Sequence, residues 1–179
     1  MWGASLVTDE GISHLAGLKK LKWIHIDNSC ITDRSLEILS RLPALETLAL
    51  QSNYFTDTGL SHLRGKTQVR SLWVGQPLAG TGITDEGVAF LAELPNLEEL
   101  DLQNTKITAK SLEHLRGRLT KLKMLAIGGT HIDRLAVRHF RATDKTDRAS
   151  KNRGSVPTPA GVGTLPKSLP RFWVTTKKI

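Results

Sequence analysis

Apolar residues recur along this chain with two spacings that alternate. In the segment ITDRSLEILSRLPALETLALQSN, Leu36, Leu39 and Leu42 are three residues apart, which predicts one apolar face of a short helix. Further on, Leu48 and Leu50 are two residues apart, the spacing of a strand with one buried face. The segment therefore predicts a helix followed by a strand, each packing its apolar face against the other.

The same segment recurs through most of the chain. Its repeats begin at Val7, Ile31, Phe55, Ile83, Ile107 and Ile132. Successive starts are 24, 24, 28, 24 and 25 residues apart, and the sixth unit, IDRLAVRHF, stops part of the way through. A single unit leaves its apolar flanks open, whereas stacked units bury a continuous core and set their strands side by side in a parallel sheet. The sequence therefore predicts a solenoid of helix–strand units.

A Thr-Asp pair marks the start of most of the predicted helices. Thr32 stands where an N-cap residue belongs, because its oxygen can accept from the free N–H groups of the first turn. Asp33 follows at the positive end of the helix dipole, where a carboxylate is favoured. We expect the same capping from the equivalent residues Thr8, Thr56, Thr84 and Thr108.

The full repeat reads I-T-D-x-[GS]-L-x-x-L-x-x-L-x-x-L-x-x-L-x-L-x-x-[NT]. This pattern resembles the leucine-rich repeats of F-box-type and bacterial ITD-containing proteins, and the resemblance covers roughly residues 6 to 141. It implies an α/β fold: a right-handed parallel β/α solenoid, the leucine-rich repeat horseshoe, of about five and a half repeats. The family is defined by its scaffold and hosts many partners, and no set of serine, histidine and carboxylate can be assembled from the sequence, so we expect a non-catalytic interaction protein.

The composition changes after residue 141 and divides the chain into two predicted regions. Residues 1–141, the predicted solenoid, carry 17 Lys or Arg against 15 Asp or Glu, whereas residues 142–179 carry 8 against 2. The second region holds four of the seven prolines and shows no repeat, and such a composition buries too little apolar surface to order itself. We therefore expect a basic, disordered tail, in which Phe172 to Val174 is the segment best suited to dock as a cap on the sixth unit.

Three features of the sequence bear on the cellular compartment. The N-terminus, MWGASLVTDEGISHL, has neither the basic start nor the apolar core of a signal peptide. No apolar run approaches the roughly 20 residues that span a bilayer. The one cysteine, Cys30, cannot form an internal disulfide and fits a reducing compartment. We therefore expect a cytoplasmic protein without a transmembrane segment.

The predicted strands bring side chains from different repeats together on the concave side of the sheet. Neighbouring strands lie roughly 4.8 Å apart, so that equivalent outward residues form columns. These columns place Trp23 and His25 near one end and Trp73, Glu99 and Asp101 further along. Exposed tryptophans are enriched at binding hot spots. These five residues are the predicted partner-binding site; the alternative is a solvated sheet whose tryptophans only cover their neighbours.

Other motifs predict no catalytic, cofactor or metal site. His14, His62, His114 and His139 fall at the eighth place of their units, one on each convex helix. Helix axes about 8–10 Å apart keep two such histidines from sharing an ion. The GQPLAGTG insertion after the third strand resembles a phosphate loop but lacks the Lys-Ser/Thr ending that reaches the phosphates. We interpret it as an insertion that permits a turn.

Two functions of different class stay open. The first is a non-catalytic protein–protein interaction scaffold that binds an unknown protein partner on the concave face. The second is binding of an anionic partner, such as nucleic acid or an acidic surface, through the basic tail, with Phe172 and Trp173 available for stacking. The sequence contains no nucleic-acid-binding motif, and the first function is favoured.

Overall fold

The computed structural model describes residues 7–75, 82–151 and 173–175, with side chains described over 7–75 and 82–142. Its helices are α1 (Asp9–Ser13), α2 (Asp33–Ser40), α3 (Asp57–Ser61), α4 (Asp85–Leu91), α5 (Ala109–Leu115) and α6 (Arg134–Lys151). Its strands are β1 (Trp23–His25), β2 (Thr47–Ala49), β3 (Ser71–Trp73), β4 (Glu99–Asp101), β5 (Met124–Ala126) and β6 (Trp173–Thr175). Helices and strands alternate through the first five repeats, as the two spacings predict.

All six strands form one parallel sheet in the order β1 to β6. The register of the first five strands has no slips, because their middle residues are successive partners: Ile24, Leu48, Leu72, Leu100 and Leu125. Each step along the sheet therefore advances the chain by one whole repeat, and equivalent residues stack in continuous rows. The parallel β/α solenoid expected from the repeat is confirmed.

The hydrophobic core lies between the sheet and the row of helices. Leu48, Leu100 and Leu125, which the strand alternation predicts to be buried, are at most 1% exposed. They belong to one cluster with the helix residues Leu39 and Leu91, both 0% exposed. Burying one leucine side chain stabilises a fold by about 1.5–3 kcal/mol, so these stacked rows are the main support of the solenoid.

The Thr-Asp pair at the helix starts ties each repeat to the next. Asp33 of the second repeat accepts hydrogen bonds from the backbone N–H of Thr56 at 2.8 Å and from its hydroxyl at 2.5 Å. Thr56 Oγ1 in turn accepts from the backbone N–H of Thr58 at 3.2 Å, which is the predicted N-cap. The same inter-repeat contact joins Asp9 to Thr32, Asp57 to Thr84 and Asp85 to Thr108. The aspartate thus holds the next repeat, a role beyond the helix dipole.

The [GS] position of the repeat lies against the aspartate of the preceding repeat. Ser35 donates its hydroxyl to Asp9 at 2.5 Å, and Ser111 makes the equivalent contact in the fifth repeat. Glycine occupies the position in the third repeat, where a Cβ on Gly59 would lie 2.3 Å from Asp33 Oδ1. This position therefore takes either a hydroxyl that donates to the carboxylate or no side chain.

The contacts between an aspartate and the threonine of the next repeat end at the fifth repeat. Ala109 stands there in place of the aspartate, so no carboxylate faces the sixth repeat from that position. Asp133 replaces the threonine of the sixth repeat and accepts from the backbone N–H of Ala136 at 2.7 Å, at the start of α6. At the other end of the solenoid, Thr8 makes no side-chain cap hydrogen bond. The predicted N-cap is therefore wrong for α1 and confirmed for α2 to α5.

The hydrogen-bonded aspartates are expected to make the fold sensitive to acid. Burial acts to raise the pKa of Asp85, but hydrogen bonds from Ser111 and Thr108 outweigh burial and hold that pKa below its ordinary value of 3.8. Such a carboxylate contributes stability that is present above its unfolded-state pKa and is lost as the pH falls through its folded-state pKa. We expect the free energy of unfolding, measured in urea melts, to decrease as the pH falls below about 4.

A substitution at Asp85 tests the source of this acid sensitivity. Asp85→Asn removes the titrating group, so the variant should lose less stability than the wild type between neutral pH and about pH 3. The control is Glu86→Gln in the same helical turn, because the Glu86 carboxylate makes no hydrogen bond or ion pair within the described residues. If Asp85→Asn and the wild type lose equal stability on acidification, the inter-repeat aspartates are not the groups responsible.

The C-terminal elements extend past the predicted end of the solenoid. Helix α6 begins inside the sixth repeat and continues to Lys151, and β6, which overlaps the Phe172 to Val174 segment, pairs in parallel with β5. The assignment of residues 142–179 to a separate, disordered tail concerns mostly residues outside the described ranges, and it stays a prediction. Residues 76–81 of the GQPLAGTG insertion also lie outside the described ranges.

Candidate functional site

Three positions in each of the five complete repeats form a surface that we call the concave face. They are the first and third residues of the strand and the second residue after the strand. These positions are Trp23, His25, Asp27, Thr47, Ala49, Gln51, Ser71, Trp73, Gly75, Glu99, Asp101, Gln103, Met124, Ala126 and Gly128. The set contains three carboxylates and no Lys or Arg, although the chain has a net charge of +8. The concave face is therefore locally acidic on a basic protein.

The β1 end of the concave face carries an exposed aromatic group. Trp23 is 61% exposed, and its ring stands edge-on to His25 with centroids 6.3 Å apart and an interplanar angle of 70°. His25 Nε2 donates to Asp27 Oδ2 at 2.7 Å, while Asp27 Oδ1 accepts from the backbone N–H of Gln51 at 2.9 Å. This chain of contacts links the aromatic pair to the next strand and leaves the indole open to solvent.

Asp101 has a different environment from the one the columns predict. The residue is only 5% exposed. Its Oδ1 accepts from the backbone N–H of Gln103 at 2.9 Å, and its Oδ2 accepts from Gln51 Nε2 at 2.7 Å. Gln51 reaches across the third repeat because Gly75 has no side chain; a Cβ there would lie 2.6 Å from Asp101 Oδ1. Amide donors from two other positions therefore enclose the Asp101 carboxylate, and its place in the partner-binding site stays a prediction.

Trp73 lies in the middle of the concave face. In the sheet register it stands between Ala49 and Asp101, and its side chain is only partly exposed. Its Nε1 is buried and has no hydrogen-bond partner among the described residues. Ala49 is 2% exposed and Ala126 is 4% exposed, although both occupy outward positions. The middle of the concave face is thus closely packed. Of the two tryptophans on the concave face, Trp23 is the more accessible.

Glu99 is the acid of the concave face that has no partner of its own. The residue is partly exposed, and its carboxylate makes no hydrogen bond or ion pair within the part of the chain that the structure describes. Asp27 and Asp101, by contrast, each accept at both oxygens. Glu99 therefore offers the available negative charge on this face.

A row of alternating charges borders the concave face, one residue before each strand. The row consists of Lys22, Glu46, Arg70, Glu98 and Lys123. Arg70 lies 2.7 Å from Glu98 and 3.6 Å from Glu46, and Lys123 completes the contact with Glu98 from the other side. The contact with Lys123, helped by Arg70 and opposed by burial, lowers the pKa of Glu98. Exposed pairs such as these contribute at most about 1 kcal/mol each; here they also neutralise one another and leave Glu99 as the free acid beside them.

The histidines of the helices lie away from the concave face. His14 and His62 follow α1 and α3 as C-cap residues, while His114 lies in α5 and His139 in α6. Within residues 7–75 and 82–142, no three His, Cys, Asp or Glu side chains lie together in a group that could hold a metal ion. No helix in the described ranges is both long enough and apolar enough to cross a membrane.

The concave face contains polar residues that the sequence analysis did not assign to the site. Asp27, Gln51 and Gln103 all occupy the second position after a strand and join the hydrogen bonds around His25 and Asp101. A signal for them exists in the sequence, since this position is polar or glycine in all five repeats. Which of these side chains face each other depends on contacts between repeats, and the repeat pattern alone does not give that.

The molecule consists of repeated units, each with one strand and one helix. The strands are parallel and in register, and the same contact joins successive units. The fold is that of a leucine-rich repeat solenoid. A family model described as leucine-rich repeat matches residues 93–115, which cover the end of the fourth repeat and the start of the fifth. No curated protein matches the chain significantly.

Solved structures with the same architecture include a bacterial protein. An internalin, InlF from Listeria monocytogenes strain 4b F2365, is 29% identical with a TM-score of 0.60, over 72% of this chain and 34% of that chain. The actin-binding site 2 of leiomodin-1 is 16% identical over 79% of this chain and 91% of that chain, with a TM-score of 0.49. The plant peptide hormone receptor RGFR1, in complex with RGF2, is 15% identical over 67% of this chain and 22% of that chain, with a TM-score of 0.39. The chain spans about a third of the internalin's length, and the other two likenesses are too remote to support an argument.

Proposed function

We propose that this protein is a non-catalytic scaffold that binds a protein partner on its concave face, with Trp23 as the principal anchor. Leucine-rich repeat domains are generally protein-interaction scaffolds. The observation that carries the finer proposal is the exposure of Trp23, 61%, at a position that His25 and Asp27 hold in place. Large exposed aromatic groups are enriched at binding hot spots, because they bury much area at little cost in conformational entropy.

Charge indicates the chemistry of the partner. The concave face has three carboxylates and no Lys or Arg, and Glu99 has no partner among the described residues. A partner that presents Lys or Arg would pair with Glu99 and stack a cation on the open face of Trp23. Such complementarity speeds association at low salt and is screened as the ionic strength rises.

The site chemistry favours binding over turnover. The imidazole of His25 has its Nε2 engaged by Asp27, and the ring beside it is the indole of Trp23, which has no acid–base or nucleophilic chemistry. The carboxylates of Asp27 and Asp101 are occupied by hydrogen bonds that hold the strands in place. These groups are suited to fixing the shape of a surface.

Truncating Trp23 is expected to weaken partner binding strongly. For the partner captured by the intact chain, Trp23→Ala should raise the dissociation constant by about 30-fold or more, the equivalent of about 2 kcal/mol. The measurement is a titration by isothermal calorimetry or biolayer interferometry with the purified partner. Because Trp23 is mostly exposed, the melting temperature of the variant should stay within about a few degrees of the wild-type value.

A second aromatic truncation serves as the matched control. Tyr54 is 40% exposed and lies between β2 and α3, where it forms an isolated parallel bridge with Thr32 outside the concave face. Tyr54→Ala removes a comparable ring and should leave the dissociation constant nearly unchanged. Equal weakening by Tyr54→Ala and Trp23→Ala, or no effect of Trp23→Ala, would overturn the proposed site.

A further inference from the structure

Helix α6 carries a line of basic residues that the proposed function does not use. Arg134, Arg138, Arg141, Lys145 and Arg148 follow one another at intervals of 4, 3, 4 and 3 residues, all within α6. At about 100° per residue, these intervals keep the five positions within an arc of about 80°. From the first to the last, the line extends roughly 21 Å along the helix axis. These five positions are called the basic stripe below.

The described part of the basic stripe is exposed and borders a hollow. Arg134, Arg138 and Arg141 are all exposed, and together with Val137 they line a cavity of about 240 Å³. Arg134 and Arg138 form no hydrogen bond or ion pair with any residue in the described ranges. Arg41, Arg64 and Arg70, by contrast, each form an ion pair with a glutamate.

The acids of α6 do not fall on the same line. Asp144 and Asp147 occupy helix positions about 80° and 140° from the centre of the basic stripe. Val137 and Phe140, at positions about 60° and 120° from that centre in the same direction, are buried. Over the whole of α6, six Lys or Arg residues stand against these two aspartates, a net charge of +4. Helix α6 therefore carries an excess of positive charge, and none of its acids falls on the basic stripe.

We propose that the basic stripe binds the phosphodiester backbone of nucleic acid, without reading its sequence. A line of about 21 Å is too long for a single phosphate and fits a polymer with a charge at every residue. Guanidinium groups, which four of the five positions supply, pair with phosphate oxygens in two-pronged hydrogen bonds. The stripe itself consists of long cationic side chains only, and cations of this kind contact phosphates.

Two other polyanions fit the basic stripe less well. A membrane-surface helix inserts a wide apolar face between lipids. Among the large apolar side chains in the described part of α6, Val137 and Phe140 are buried against the protein and only Leu135 is exposed, which is too little for such a face. An acidic protein partner would be expected to dock on a buried aromatic or aliphatic anchor, and none of the five stripe positions supplies one. Evenly spaced charge without an anchor is the arrangement that a regular phosphate backbone favours.

Fluorescence anisotropy on the full chain tests the proposal. The probe is a labelled DNA duplex of about 30 base pairs of mixed sequence, titrated at salt concentrations from about 50 to about 200 mM. The test variant, Arg134→Gln/Arg138→Gln/Arg141→Gln, removes three exposed charges while keeping good helix formers. Each phosphate contact contributes about −0.9 to the slope of log affinity against log salt. The triple variant should therefore bind at least about tenfold more weakly at about 50 mM salt, with a slope shallower by about 2 to 3.

A variant with the same change in charge elsewhere is the control. Lys19, Lys20 and Lys106 are exposed residues outside α6, and Lys19→Gln/Lys20→Gln/Lys106→Gln should keep the wild-type affinity within about twofold and the wild-type slope. No binding by the wild type, a triple α6 variant that binds like the wild type, or equal losses in both variants would overturn the proposal. So would equal or tighter binding of the wild type to phosphatidylserine vesicles or to polyglutamate at the same salt.

Discussion

Replacing Leu100 with alanine is expected to lower the free energy of unfolding by about 2–5 kcal/mol, the range for buried leucines. Leu100 is 0% exposed, and its partners in the strand register are Leu72 and Leu125, which are also 0% exposed. Truncation removes apolar contacts and leaves a cavity that neighbours stacked on both sides can fill only partly. A urea melt followed by circular dichroism measures the loss.

The same substitution at an exposed leucine provides the control. Leu135, in α6, is 74% exposed, so Leu135→Ala should change the free energy of unfolding by less than about 0.5 kcal/mol. If Leu100→Ala and Leu135→Ala cost the same, the assignment of inward and outward positions on the sheet is wrong.

Replacing Asp85 with alanine is expected to cost about 2–4 kcal/mol, because it leaves partly buried donors without an acceptor. The Asp85 carboxylate accepts from the backbone N–H and the hydroxyl of Thr108 at 2.8 and 2.7 Å. It also accepts from the backbone N–H of Ser111 at 3.1 Å and from the Ser111 hydroxyl. One side chain thus joins the start of α4 to the start of α5, and its loss weakens the contact between two repeats.

The adjacent acid separates this contact from the general effect of charge. Glu86 lies next to Asp85 in the first turn of α4, and the helix dipole acts on both carboxylates. The Glu86 side chain has no partner within the described residues, so Glu86→Ala should cost no more than about 0.5–1 kcal/mol. Similar losses for Asp85→Ala and Glu86→Ala in urea melts would show that the dipole, and not the inter-repeat hydrogen bonds, explains the aspartate.

The fold could be predicted from the sequence because the same pattern of apolar spacings occurs in five successive repeats. The change from a spacing of three to a spacing of two fixes a helix and a strand in each unit, and the period fixes which residues stack. The hydrogen bonds from Asp33 and its equivalents to the next repeat were harder to predict, since the helix dipole already explains a carboxylate in the first turn. The position two residues after the aspartate is always Gly or Ser, and this restriction indicates that a neighbouring repeat packs closely against it.

The candidate site was only partly predictable, because its details depend on contacts that skip a repeat. The columns correctly bring Trp23, Trp73 and Glu99 onto one face, but the burial of Asp101 depends on Gln51 reaching it over Gly75. No pattern within one unit contains that information. Helix α6 also runs across the predicted boundary at residue 141, and a repeat pattern that stops there contains no information on how far the last helix continues.

The most direct test of the concave-face proposal compares three full-length chains in affinity purification with quantitative mass spectrometry. They are the wild type, Trp23→Ala/Glu99→Gln, and the Arg134→Gln/Arg138→Gln/Arg141→Gln variant, each confirmed as folded by circular dichroism. We expect a protein partner that the wild type and the arginine variant retain equally and that the Trp23→Ala/Glu99→Gln chain loses. A partner retained by the Trp23→Ala/Glu99→Gln chain at the wild-type level would contradict the account.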